Sequence, residues 1–163
     1  MNRKILMGTT ALFAVLALSL TAISPARAMT KDSYWEHVEG TVTGTPRKMW
    51  VANGIMHIKD LPFSGSYIGT LGTGTMEVNF EHIMVNTETG EGTCLGTWLI
   101  VIDGNTLSGS ANGKITGGLS GISEGHFRGT HGTGDFAGIV KMGNYSVNLA
   151  TGILEAEGVI IYH

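Results

Sequence analysis

The chain has 163 residues, and 13 acidic against 10 basic side chains leave it at −3 with histidine neutral. Beyond residue 28 the balance is 7 basic against 13 acidic, or −6, which offers no electrostatic footprint for nucleic acid or anionic lipid. A single cysteine excludes an intramolecular disulfide, and 25 glycines with no three-residue period exclude collagen.

Residues 1–28 read as a secretory signal peptide. Arg3 and Lys4 open the segment, ALFAVLALSL (Ala11 to Leu20) is an uncharged apolar run, and Ala26-Arg27-Ala28 is a small-x-small cleavage site. The run is shorter than the roughly 20 residues that a membrane-spanning helix needs. A cleaved signal is therefore favoured over a retained anchor, with no stable membrane insertion after cleavage. No cysteine follows the cleavage site to carry a lipid. Residues 29–163 are long enough for one domain with its own core.

Between Thr41 and Gly158 only Thr75 to Thr89 runs more than a dozen residues without glycine. Each glycine inside a helix costs roughly 1 kcal/mol against alanine. Strands bounded by turns are the expected alternative, and the fold class is all-β.

In chain order, GSYIGTLGTG (Gly65 to Gly74) is the first strand–turn–strand signal, with Gly72 and Gly74 expected as turn glycines. TMEVNFEHIMVNTET follows. As a strand it puts Met76, Val78 and Phe80 on one face, with a phase slip after His82 that requires a bulge. As a helix it would set Glu77 and Glu81 at a repulsive i,i+4 spacing without a good cap, so the strand is favoured. Cys94, in GTCLGTW, reads as a small buried hydrophobe. WLIVI (Trp98 to Ile102) reads as a strand buried on both faces. Asp103-Gly104 and Asn112-Gly113 are both suited to two-residue hairpin turns.

GHFRGTHGTG (Gly125 to Gly134) echoes GSYIGTLGTG at an offset of 60, with six identities in ten. The echo suggests two related strand–turn–strand units. In RGTHGTGDFAGI the spacing of Gly132, Gly134 and Gly138 is one residue too long for a dinucleotide fingerprint, and no helix follows. Nor does Gly-Lys-Ser/Thr occur, so these three glycines are expected to shape a turn rather than cradle phosphate. At the C-terminus, GILEAEGVIIYH alternates so that Leu154, Ala156, Gly158, Ile160 and Tyr162 share a consistently apolar face, which is expected to meet the core.

GTGDFAGIVKMG resembles the GTG-x-F-x-x-A/G-x-G signature of the allene oxide cyclase and dirigent-type β-barrels and of related bacterial barrels. Gly132, Thr133, Gly134, Phe136, Ala137 or Gly138, and Gly143 carry the match, over some 12 residues. The resemblance implies a single antiparallel barrel of about eight strands whose apolar interior can hold a small lipophilic ligand. The motif is architectural, and no catalytic residue of that family carries over.

Candidate chemistry is sparse. There is no H-x-H, H-E-x-x-H or Cys/His spacing for a transition metal and no D-x-D-x-D-G calcium loop; neither metal nor cofactor is expected. His126 and His131 would point to opposite faces of one uninterrupted strand. No G-x-S-x-G elbow supports a hydrolase triad. Trp50, Tyr67, Phe80, Trp98 and Phe127 are the candidates to line an interior, as ligand wall or as core filling. Glu77 and His82 are the polar members that could serve catalysis.

Three functions stay open. The leading expectation is a secreted or periplasmic, non-enzymatic barrel that binds a small apolar ligand or acts as an envelope scaffold. The second is a cyclase- or isomerase-like enzyme that steers a lipophilic intermediate. The third is a subunit of a surface assembly that pairs through exposed strand edges.

Overall fold

The computed structural model describes residues 29–163, so the signal peptide expected over residues 1–28 lies outside the described residues. Nine strands follow one another: β1 (Thr30–Val42), β2 (Lys48–Ala52), β3 (Ile55–Gly69), β4 (Gly72–Asn86), β5 (Gly92–Ile102), β6 (Asn105–Thr116), β7 (Ile122–Gly132), β8 (Ile139–Asn148) and β9 (Ile153–Tyr162). From β2 to β9 each strand pairs antiparallel with the next, and β9 returns to pair with β1. The pairing of β1 with β3 closes eight strands into a barrel. The extra strand, β2, continues β1 along the same edge of β3, from Val42↔Phe63 to Lys48↔Lys59. Asp60 has φ 53° at the break between them, and its carboxylate is held by Arg47 at 2.5 Å.

The barrel forms because each strand keeps its apolar alternates on one side. Leu154, Ala156 and Ile160 of β9 are buried, as the C-terminal alternation predicts, while Tyr162 at the strand end is 36 % exposed. Two packed groups fill the interior. The larger includes Tyr34, Tyr67, Trp98, Leu107, Phe127 and Phe136, and the smaller joins Ile58, Ile83, Val85, Cys94 and Ile115.

The phase slip expected in β4 is present. The β4–β5 register shifts between Asn79 and His82, so Met76 and Val78 point inward before it and Ile83 and Val85 after it. A second bulge separates His126 from His131, where β6–β7 shifts at Ser108/Gly109, and both histidines are exposed. The expected opposite facing fails because the strand is interrupted.

Two further expectations are corrected. Asn112-Gly113 is no turn: it lies inside β6, paired with Leu95 and Cys94. Gly113 is there for space, since a Cβ would collide with the Tyr145 hydroxyl and the Glu124 carbonyl. The type I′ backbone appears at Asp103-Gly104 (φ 50° and 81°), as expected, and at Asn53-Gly54 (φ 50° and 74°). Trp98 to Ile102 is buried on one face only, because Leu99 and Val101 on the outer face are partly exposed.

The two echoed glycine segments, Gly65 to Gly74 and Gly125 to Gly134, each run from a strand into a bend. Gly69↔Gly72 closes the β3–β4 hairpin around Thr70 and Leu71, so Gly72 flanks the turn, while Gly74, expected in it, lies in the β4 ladder opposite Tyr67, where a Cβ would strike the Val101 carbonyl. Gly132 ends β7, and a short 3-10 turn from Gly134 to Phe136 leads to Gly138 and β8. Gly134 and Gly138 have φ 58° and 79°, a backbone that favours glycine, and Phe136 of this turn packs into the core.

Candidate functional site

Among the described residues, the barrel interior holds one ion pair. Lys141 Nζ lies 2.7 Å from a Glu36 carboxylate oxygen, with the lysine side chain fully buried and the glutamate side chain 2 % exposed. Both residues sit on strands whose other inward positions are apolar: Tyr34 and Val38 flank Glu36, and Ile139 flanks Lys141. Alternation therefore forces the two charges inside, where each needs a partner.

An aromatic cage surrounds the ammonium. Its nitrogen lies 4.4 Å from the Tyr34 and Trp98 ring centres and 4.7 Å from that of Phe127. These are cation–π distances. Register sets the cage: Phe127, Gly143, Gly158 and Tyr34 are successive cross-strand partners. The two glycines let the backbones come close, since a Cβ on Gly143 would strike the Glu157 carbonyl and one on Gly158 the Met142 carbonyl, and the Tyr34 and Phe127 ring centres lie 6.0 Å apart. The same Glu36 oxygen accepts a hydrogen bond from the Tyr34 hydroxyl, which lies 3.3 Å from that of Tyr67. Among the described residues no buried side-chain nitrogen or oxygen lacks a partner.

The protonation states follow from this enclosure. Burial lowers Lys141 to about 8, against the opposing pull of Glu36. The amine therefore stays mostly protonated at neutral pH. Burial first, then Glu36, holds Tyr34 far above the ordinary phenol range. Burial likewise pushes Tyr67 up to about 12.

Next to the pair is a hollow of about 40 Å³. Met76, Phe80, Trp98, Ala111, Phe127 and Val147 give it an apolar wall, and Glu36 and Tyr145 reach it as polar groups. Behind Tyr145 a second polar knot is buried: Cys94 Sγ lies 3.1 Å from Ser123 Oγ and 3.4 Å from the Tyr145 hydroxyl. Burial, then Cys94, raises the Tyr145 phenol.

Of the residues expected to line an interior, Tyr67, Trp98 and Phe127 are buried there, and Phe80 packs edge-on to Phe63 with ring centres 6.4 Å apart. Trp50 is not inside. It lies on the outer face of β2, stacked on His57 at 4.7 Å. Glu77 is exposed, because it alternates with the inward Met76 and Val78. His82 is also outside, since the bulge reverses the strand's phase there; its Nε2 lies 3.2 Å from His57 Nδ1. The interior carboxylate is Glu36, and its partner is Lys141. Each stands as one charged residue on the apolar face of a strand, a signal present in YWEHV and GIVKMG.

Among the described residues no three His, Cys, Asp or Glu side chains converge as a metal site. Fold and interior together define a class: a closed antiparallel barrel with a caged ion pair beside an apolar hollow. No protein family, curated protein or solved structure matches the chain.

Proposed function

We propose that the protein is an exported, non-enzymatic barrel that binds a small, mostly apolar ligand in its interior. The observation that carries this reading is the hollow beside Glu36 and Trp98, with aromatic and aliphatic walls and few polar groups. Small-molecule sites have this composition. At about 40 Å³ the space takes only a few heavy atoms as it stands. A larger ligand enters by displacing Phe80 and Met76, the second of which repacks readily because its side chain is unbranched. Export is supported by the signal-like residues 1–28. Mass measurement of the protein recovered from an expressing cell checks this: a chain beginning at Met29 is the expected product.

A thermal-shift screen against small apolar compounds tests the binding. A ligand at 100 times its Kd should add about 2.7 kcal/mol of stability. Ala111 lines the hollow, so Ala111→Leu should fill it and remove the shift while the barrel stays folded. A library that moves nothing, or a shift that survives in Ala111→Leu, defeats the proposal.

One observation favours a second reading, a cyclase-like enzyme: Glu36 brings a carboxylate to the aromatic wall. Such chemistry needs positioning and one acid–base group. Glu36→Gln should then abolish turnover of a ligand that the variant still binds.

A further inference from the structure

Two neighbouring rows on the outer surface of the barrel change sign along their length, with Glu77 of β4, Lys31 of β1 and Arg128 of β7 lying outside them. Strand register lines up the outward side chains around the girdle. On one side, Lys48, Lys59 and His82 are successive cross-strand partners. The row beside it runs from Trp50 and His57 through Met84 and Thr93 to Lys114. Three of the seven basic residues of the described chain sit in these two rows, and neither row holds a carboxylate up to this point. Lys48 caps the Trp50 ring at 4.8 Å. The exposed Glu81 of the β4 bulge borders this side, and Arg47 nearby is taken up by Asp60.

The same rows change sign where Lys114 meets Glu124. Beyond it, Glu124, Ser146, Glu155 and His37 follow one another across β7, β8, β9 and β1. His126, Asn144, Glu157 and Trp35 form the parallel row. Together they line an open groove of about 810 Å³. Trp35, at its edge, is 54 % exposed.

We infer that the lysine side of one copy docks on the acidic groove of a second copy of this chain. The argument is complementarity contained within one molecule. A cationic face and an anionic face lie on different sides of one rigid barrel, and each carries one tryptophan. An exposed aromatic with charges around it is the composition of an interface centre with a polar rim. Because the two faces differ, the contact is head-to-tail, and it builds rings or filaments rather than closing as a two-fold dimer. It uses side chains on sheet faces and leaves the interior hollow free, so it stands or falls separately from ligand binding.

Analytical ultracentrifugation of residues 29–163 tests the inference. At about 0.01 M salt, where charges are felt over roughly 30 Å, the wild type should associate as its concentration rises; at about 1 M salt it should be monomeric. Lys59→Gln with Lys114→Gln removes one face, and Glu155→Gln with Glu157→Gln removes the other. Each double variant alone should be monomeric at low salt. Mixed in equal amounts, the two should form a complex that stops at the dimer, since only one complementary pair of faces remains. A wild type that stays monomeric at low salt overturns the inference. So does association of either variant alone, or a mixture that remains monomeric.

Discussion

Lys141 shows how strand alternation can force an unfavourable choice. A buried ion pair is expensive to desolvate, and replacing both partners by apolar groups is often neutral or stabilising, whereas removing one strands the other. Lys141→Met should therefore cost about 3–5 kcal/mol in urea unfolding, and adding Glu36→Gln should recover much of that loss. The pair also sets a pH dependence. Lys141 is lowered to about 8, so above that pH the unfolded chain binds the extra proton and stability rises with pH. Between pH 8 and 9.5 the wild type should gain about 2 kcal/mol that the double variant does not gain. The rise ends where tyrosines take over. Tyr67 titrates near 12 in the folded state, so the unfolded chain releases its proton first and stability falls above pH 10. Unfolding free energies that stay flat from pH 8 to 9.5 would contradict the assignment of Lys141. At this scale the aromatic members Tyr67, Phe80, Trp98 and Phe127 were legible as inward residues, whereas the pairing of Glu36 with Lys141 was not, because it spans 105 positions of sequence.

Two glycines separate the roles that a strand and a turn impose. Gly104 has φ 81° in the β5–β6 hairpin, and a Cβ there would meet open space. Gly113 lies within the β6 ladder, and its Cβ would strike Tyr145 and the Glu124 backbone. Gly104→Ala should cost about 1 kcal/mol, for backbone strain alone. Gly113→Ala should cost about 2 kcal/mol or more, because packed backbone has to shift. Denaturant midpoints of the two variants check the order, and a larger loss at Gly104 would reverse the interpretation. The Asn112-Gly113 dipeptide pointed to a turn because local chemistry allows one there. The β6 ladder overrides it, since eleven consecutive cross-strand pairs with β5 outweigh one turn preference. The β4 bulge, by contrast, was readable from the shift of apolar residues from Met76, Val78 and Phe80 to Ile83 and Val85.

Closure belongs to the whole molecule. The β1–β9 seam joins Thr30 to Tyr162 and Glu39 to Ile153, the most distant strands in the chain. Loop-closure entropy opposes such contacts until the intervening strands are in place. A chain ending at Thr151 should therefore lose more than one strand: it opens the barrel and uncovers the faces that Leu154, Ala156 and Ile160 bury. Loss of cooperative thermal unfolding, with binding of a hydrophobic dye, is the expected outcome. A truncated chain that melts as sharply as the full one would show that the seam is dispensable.

The sequence by itself determined the all-β character, the glycine-punctuated turns and the inward face of most strands, because period-two alternation and glycine's backbone freedom act over a few residues. Only the tertiary structure decided that Trp50, Glu77 and His82 face outward, that Glu36 meets Lys141 inside the aromatic cage, and that Lys48, Lys59 and Lys114 share one stretch of two outer rows while Glu124, Glu155 and Glu157 share another. These depend on register between strands far apart in the chain, where a shift of one residue turns every side chain to the other face.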